Sequence, residues 1–278
     1  MYCSTHIGLL NLLDLLVDIA KEVQRRIKPI LGSTLASDIV GKGVGGDLTR
    51  GIDKLAEDVI INSLKDRDIL CTVVSEECGV MKFGSKPDVY VIVDSIDGTI
   101  NALRGIPFFC TSIALSKGNR VKDINAGVVL NLYDGSIFYA ERGRGAYMDD
   151  KRIKTSHRAS LEDAVIGIDF SKAEESNVIR LVPLFKKIRH MRHFGANALE
   201  VCYVASGFTD AFVDIRGMLR VTDIAASYII LKEAGGKIVT PEGNELDSIL
   251  EPTQRVSFVA ASSSIICKKI LKTIEVER

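Results

Sequence analysis

The chain has 278 residues, 46% apolar and 26% charged, with 36 basic against 36 acidic side chains and a formal net charge of +0. That balance excludes bulk electrostatic capture of nucleic acid and leaves any anionic ligand to a local site, which favours a small molecule. The length suffices for one large domain or two moderate ones, each able to bury a sizeable core.

Residues 7–27 are leucine-rich, with Asn11, Asp14, Asp18, Glu22 and Arg25 recurring at the spacing of one helical face, so an amphipathic helix is predicted. Two aspartates inside the apolar stretch argue against a signal peptide or membrane span, and a cytoplasmic location is expected. The six cysteines (Cys3, Cys71, Cys78, Cys110, Cys202, Cys267) form no C-x-x-C pair and read as small buried apolar residues. Cys71 and Cys78 are near enough to meet across a turn, which leaves one disulfide open. The run Gly41-Lys42-Gly43-Val44-Gly45-Gly46 lacks the preceding strand and the G-K-[ST] ending of a phosphate loop, and reads as a mobile loop of the kind that closes over sites. Asp47 or Thr49 is placed to cap a helix over about 50–64, with Ile52, Leu55, Val59 and Ile60 on its apolar face.

An apolar run over 69–74 predicts a strand ending in Ser75-Glu76-Glu77, and Val89 to Val93 predicts a buried strand ending in Asp94-Ser95-Ile96-Asp97-Gly98-Thr99. Two carboxylates three residues apart on a turn can converge on one point, where they repel unless a cation lies between them. Hard divalent cations such as Mg²⁺ take oxygen ligands and share their shell with phosphate. The N–H groups near Gly98 and Thr99 offer the matching anion cradle. A solvated acidic turn is the plain alternative for each cluster taken singly.

Strands over 108–115, 126–131 and 137–140 follow, the last two joined by a hairpin at Tyr133-Asp134-Gly135, so the first half reads as helices on a largely antiparallel sheet. Beyond about residue 155 the pattern alternates. Strands are predicted over 164–170, 189–194, 210–215, 237–240 and 256–261. Helices are predicted over 175–188, 198–206, 223–234 and 263–276, the third stopped by Gly235-Gly236. The division expected is an α+β metal-binding domain over 1–155 and an α/β substrate-recognition domain over 156–278.

Read jointly, Asp47-Leu48-Thr49…Asp53, Ser75-Glu76-Glu77, Asp94-Ser95-Ile96-Asp97-Gly98-Thr99-x-Asn101, Gly195-Ala196-Asn197 and Thr222-Asp223-x-Ala225-Ala226…Glu233-Ala234-Gly235-Gly236 resemble the inositol monophosphatase / fructose-1,6-bisphosphatase superfamily of Mg²⁺-dependent, lithium-sensitive phosphatases. The likeness spans nearly the whole chain and is greatest to archaeal members that handle both inositol and fructose phosphates. It departs from the family at Ser95, where proline is usual, and at Thr222, where an aromatic is common.

The resemblance implies a layered αβαβα sandwich and a phosphomonoesterase acting on inositol 1-phosphate, fructose 1,6-bisphosphate or both through metal-activated water. It implies two to three Mg²⁺ ions, the first on Glu76, Asp94 and the carbonyl of Ile96, the second on Asp94, Asp97 and Asp223. Thr99, hydrogen-bonded to Asp47, or else Glu76, would take the proton of the attacking water, with Gly98 and Thr99 holding phosphate. Gly195, Ala196, Asn197 and Asp214 would meet the sugar or inositol ring, and Arg192, Arg216 and Arg220 are candidates for a second phosphate. A homodimer is implied as well. A 3'(2'),5'-bisphosphate nucleotidase and a non-enzymatic RNA- or protein-binding regulator are the alternatives, the latter at odds with the balanced charge.

Overall fold

The computed structural model describes residues 9–275 apart from 45, 47, 86 and 88. The leucine-rich stretch forms α1 (Leu9–Ile27), and its buried Leu12, Leu16, Ile19, Val23 and Ile27 recur at helical spacing. Beyond it lie α2 (Thr34–Ser37), then β1 (Ile39–Lys42) and β2 (Leu48–Arg50), which pair antiparallel, so that Gly41 and Lys42 of the glycine run expected as a loop belong to a strand instead. The following helix, α3 (Gly51–Lys65), packs beside α1. Its cap differs from expectation. Arg50 occupies the N-cap position and its N–H donates to Asp53 Oδ2 at 3.0 Å, while the Thr49 hydroxyl donates to Glu77. Asp47 lies outside the described residues.

The first sheet comprises β3 (Cys71–Ser75), β4 (Gly79–Lys82), β5 (Val89–Asp97), β6 (Cys110–Ser116), β7 (Ile124–Asn131), β8 (Ile137–Glu141), β9 (Gly145–Met148) and β10 (Lys151–Ile153), with α4 (Thr99–Arg104) between β5 and β6. Its spatial order is β10-β9-β8-β7-β6-β5-β3-β4, antiparallel except where β3 runs parallel to β5. That parallel pair sets the site. Ser75 lies opposite Val93, so the next residues, Glu76 and Asp94, fall side by side where β3 ends and β5 runs on. Cys71 and Cys78, the pair left open above, are both free thiols.

The second half contributes β11 (Val165–Ile168), α5 (Glu175–Phe185), β12 (His190–Arg192), α6 (Asn197–Ala205), β13 (Ala211–Arg220), α7 (Ala225–Glu233), β14 (Lys237–Val239), β15 (Arg255–Ala261) and α8 (Ser264–Ile274). Its mixed sheet runs β12-β11-β13-β15-β14. Helices α1 and α3 cover the outer face of the first sheet, α6 and α7 fill the space between the sheets, and α8 packs on β15 with α5 beside it. The result is the expected αβαβα sandwich. Helix α7 carries Ala225, Ala226, Tyr228, Ile229, Ile230 and Leu231 buried around its circumference, as a helix enclosed between two sheets must. At Gly127 of β7 a Cβ would come within 2.6 Å of the Ala226 carbonyl, so only glycine lets α7 sit this close. One apolar cluster joins Val74, Ile92 and Phe138 of the first half to Leu199, Tyr228 and Phe258 of the second. Residue 155, near which a boundary is expected, lies between β10 and β11, and this core is shared across it. Among the described residues no helix is long and apolar enough to cross a membrane.

Candidate metal-binding site

The site begins with an irregularity in β5. Asp94 pairs with Ser112 and Asp97 with Cys110, so three steps along β5 match two along β6. In a regular strand, residues three apart point to opposite faces. The extra residue of the bulge resets that alternation and brings both aspartates onto one cavity. Ser95, at the usual proline position, ties the bulge down by donating to the Asp53 carbonyl at 3.2 Å. The chain then turns through Gly98 (φ +88°) into α4.

A Cβ at Gly98 would lie 3.1 Å from the Ala196 Cβ and 3.2 Å from the carbonyls of Gly195 and Phe108. Gly98→Ala is therefore expected to cost roughly 2–3 kcal/mol, about 1–2 from the left-handed backbone and the rest from crowding, read as a lower urea midpoint, with activity falling alongside.

Asp94, Asp97 and Asp223 are buried at 5, 6 and 6% exposure. Glu76, Asp94 and Asp223 each offer a carboxylate oxygen within 4.8 Å of the others. Asp223 does not cap α7. Its Oδ2 accepts the Arg220 N–H at 3.0 Å, its Oδ1 accepts the Thr222 hydroxyl at 3.2 Å, and the N-cap Ile224 has no side-chain cap. Thr222, the other departure from the family pattern, thus steers a carboxylate of the cluster. Asp97 Oδ2 accepts the Ala198 N–H at 2.7 Å at the start of α6, which joins the second half to the cluster. Arg220, on β13, pairs with Glu76 at 2.9 Å.

Burial pushes the Asp97 carboxyl up to about 8, with Asp223 adding to the rise. Asp94 is held well above the usual carboxylate range by burial and then by Asp97, Asp223 and Glu76. Burial also raises Asp223, against the opposing pull of Arg220. A group of buried oxygen donors that repel one another fits hard divalent cations, which would replace repulsion by attraction.

Thr99 Oγ1 donates to Asp53 Oδ1 at 2.9 Å and lies 3.1 Å from the Ile96 carbonyl. Among the described residues the threonine's carboxylate partner is Asp53, and the Asp47 expected from the sequence lies outside them. Asp53 is raised to about 7, chiefly by burial, against hydrogen bonds from the Arg50 N–H and Thr99. Its position three residues after the cap residue of α3 is the signal that would have singled it out.

The cavity around these groups measures ≈ 450 Å³. Glu76, Asp94, Ile96, Asp97, Gly98, Thr99, Gly195, Asn197, Arg220 and Asp223 of the expected set line it, and Lys172 and Arg50 join them unforeseen. Ala196 is buried behind it against Gly98. Asp214 and Arg216 are placed elsewhere. Asp214 is 0% exposed and accepts from Arg216 N at 2.9 Å and Nε at 3.0 Å, and Arg216 also pairs with Asp169. Arg192 is exposed and bonds the neighbouring Met191 carbonyl. The Gly195 segment is held by Glu200, which accepts the N–H groups of Phe194 and Gly195 at 2.9 and 3.1 Å and is raised by burial to about 7.

Comparison with known proteins gives the family. The inositol monophosphatase family pattern matches residues 12–276. A fructose-1,6-bisphosphatase/inositol-1-monophosphatase of Methanothermobacter thermautotrophicus is 36% identical, over 94% of this chain and 95% of its own. A bifunctional NADP phosphatase/NAD kinase of Methanococcus maripaludis is 33% identical over 94% of this chain, which matches 49% of that longer protein. Among solved structures, an inositol monophosphatase–fructose 1,6-bisphosphatase superposes with a TM-score of 0.84 at 35% identity, covering 94% of this chain and 98% of that one.

Proposed function

The chain belongs to the inositol monophosphatase family of phosphatases, and from that premise we propose that it hydrolyses inositol 1-phosphate and fructose 1,6-bisphosphate with Mg²⁺ at the Glu76–Asp94–Asp97–Asp223 cluster. The observation that carries the reading is the convergence of Glu76, Asp94 and Asp223 oxygens within 4.8 Å on the cavity that Asp97 and Thr99 also line. Glu76, Asp94 and the Ile96 carbonyl would hold one ion, Asp94, Asp97 and Asp223 a second, and Glu76 would help hold a third. When bound, these ions lower the pKa of water and neutralise the oxygens of a phosphate ester.

The residues supply the rest. The Thr99 hydroxyl, whose proton goes to Asp53, accepts the proton of the attacking water while passing its own on. The Gly98 and Thr99 N–H groups steady the phosphate. Lys172 and Arg220 offer the cavity's cationic contacts to a phosphate oxygen, and Gly195 and Asn197 face the polyol. The protein works in the cytoplasm as a homodimer, which light scattering of the purified chain checks.

A substrate panel tests the reading. Phosphate release from both compounds is expected with Mg²⁺, none with a chelator, and a loss of roughly 10³-fold in Asp97→Asn, since groups that act as a unit fail together. No release from either compound, with Asp97→Asn unchanged, would sink it. A second reading rests on the NADP phosphatase/NAD kinase relative, so NADP and adenosine 3',5'-bisphosphate belong in the panel. Faster turnover of either would move the assignment to a nucleotide phosphate within the same chemistry.

A further inference from the structure

Separate from the metal cluster lies an open cleft of ≈ 840 Å³, bounded by the loop before β11, the segment between α5 and β12, and the last turns of α8. It shares no lining residue with the catalytic cavity. Lys186, Lys187, Arg189, Lys269 and Lys272 line it against a single acid, Glu162. Glu162 is already paired with Arg189, and among the described residues no carboxylate forms an ion pair with the four lysines.

Two of those lysines are anchored by neutral acceptors. Lys187 Nζ donates to Thr273 Oγ1 at 3.3 Å, Thr273 Oγ1 donates to the Lys269 carbonyl at 2.7 Å, and Lys269 Nζ donates to the Ala159 carbonyl. A neutral acceptor fixes an ammonium without cancelling its charge, so the cleft concentrates positive potential on a concave wall. A helix carboxyl end favours a cation such as Lys272 in the last turn of α8, yet that effect fades within one turn and does not account for lysines gathered from separate segments. A volume in the range of ligand pockets and a concave outline suit a compact molecule, where a nucleic-acid backbone needs an extended track.

We propose that this cleft is a second ligand site, for a small anion bearing two or more phosphate groups. The inference is independent of which ester the catalytic cavity hydrolyses. Pyrophosphate serves as the probe, titrated calorimetrically into the full-length protein at low salt with a chelator present, so that no metal holds the anion at the carboxylate cluster. K269Q/K272Q removes two of the cleft's ammonium groups, and Lys172→Gln removes a cation from the catalytic cavity instead. Binding is expected to weaken by about tenfold or more in K269Q/K272Q, as fits the loss of charge-assisted phosphate contacts, and to stay unchanged in Lys172→Gln. The double variant is expected to melt at the temperature of the parent, which excludes unfolding as the cause. Equal affinity in parent and double variant, affinity lost only in Lys172→Gln, or no saturable binding to the parent would each overturn the proposal.

Discussion

Asp94→Asn is expected to lose roughly 10⁴-fold in kcat/KM, about 5 kcal/mol of transition-state stabilisation, and at the same time to make the metal-free protein more stable at pH 8. The two effects share one cause. Asp94 is buried at 5% exposure and feels the charges of Asp97, Asp223 and Glu76 together. With cations present it is the proposed bridge between two ions, so its loss disrupts both. Without them it is a charge with no counterpart except the shared Arg220.

The sign of the pH dependence follows from the direction of the shifts. Asp94 and Asp97 have folded values raised above 3.8, Asp97 to about 8. The folded protein therefore binds more protons than the unfolded chain between those limits. Stability is full below about pH 4 on this account and declines as pH rises toward 8. Asparagine at position 94 carries no charge to desolvate, so the melting temperature of the variant in chelator should exceed that of the parent at pH 8 and converge with it toward pH 4. Added Mg²⁺ should reverse the ranking at pH 8, because only the parent gains the full binding energy. A variant less stable than the parent at pH 8 in chelator would show that the carboxylates are not in mutual repulsion.

Much of this site was legible in the sequence because its parts are local. Asp94, Asp97, Gly98 and Thr99 follow a strand too apolar to be anything but buried, and Glu76 ends a second strand of the same kind. What brings them together is the parallel β3–β5 register and the bulge between the Asp94–Ser112 and Asp97–Cys110 pairs, and neither leaves a mark in residue types. Asp53 illustrates the limit. It is one of the acids near the start of one predicted helix, and only the helix register decides that it faces Thr99. Asp214 and Arg216 illustrate another. Each alone suggests a substrate contact, but two residues apart on a bent strand they satisfy each other and are not among the residues that line the cavity. Lys172 went unseen because nothing in the sequence aligns the loop after β11 with a strand end some 75 residues earlier (172 against 97).

The Thr99–Asp53 pair yields the second large effect. Thr99→Val keeps the shape of the side chain and removes the hydroxyl, and is expected to lower kcat/KM by about 10²–10⁴-fold, the range of general acid–base assistance, with little change in KM. Asp53→Asn should cost a similar factor, and the double variant little more than either, because the two act as one relay. Burial places the Asp53 carboxyl at about 7 in the metal-free protein. Nearby cations stabilise its charged form, so the acid limb of kcat/KM with Mg²⁺ bound is expected to titrate at or below pH 7. As the ionised form accepts the proton, activity rises with pH through that limb, and Asp53→Asn should flatten it. The test separates relay from scaffold. If Thr99→Val lost activity through a raised KM alone and kept the limb of the parent, the hydroxyl would be positioning substrate. If it kept the parent rate throughout, the proton would leave the attacking water by another route, with Glu76, also on the cavity wall, the next group to replace.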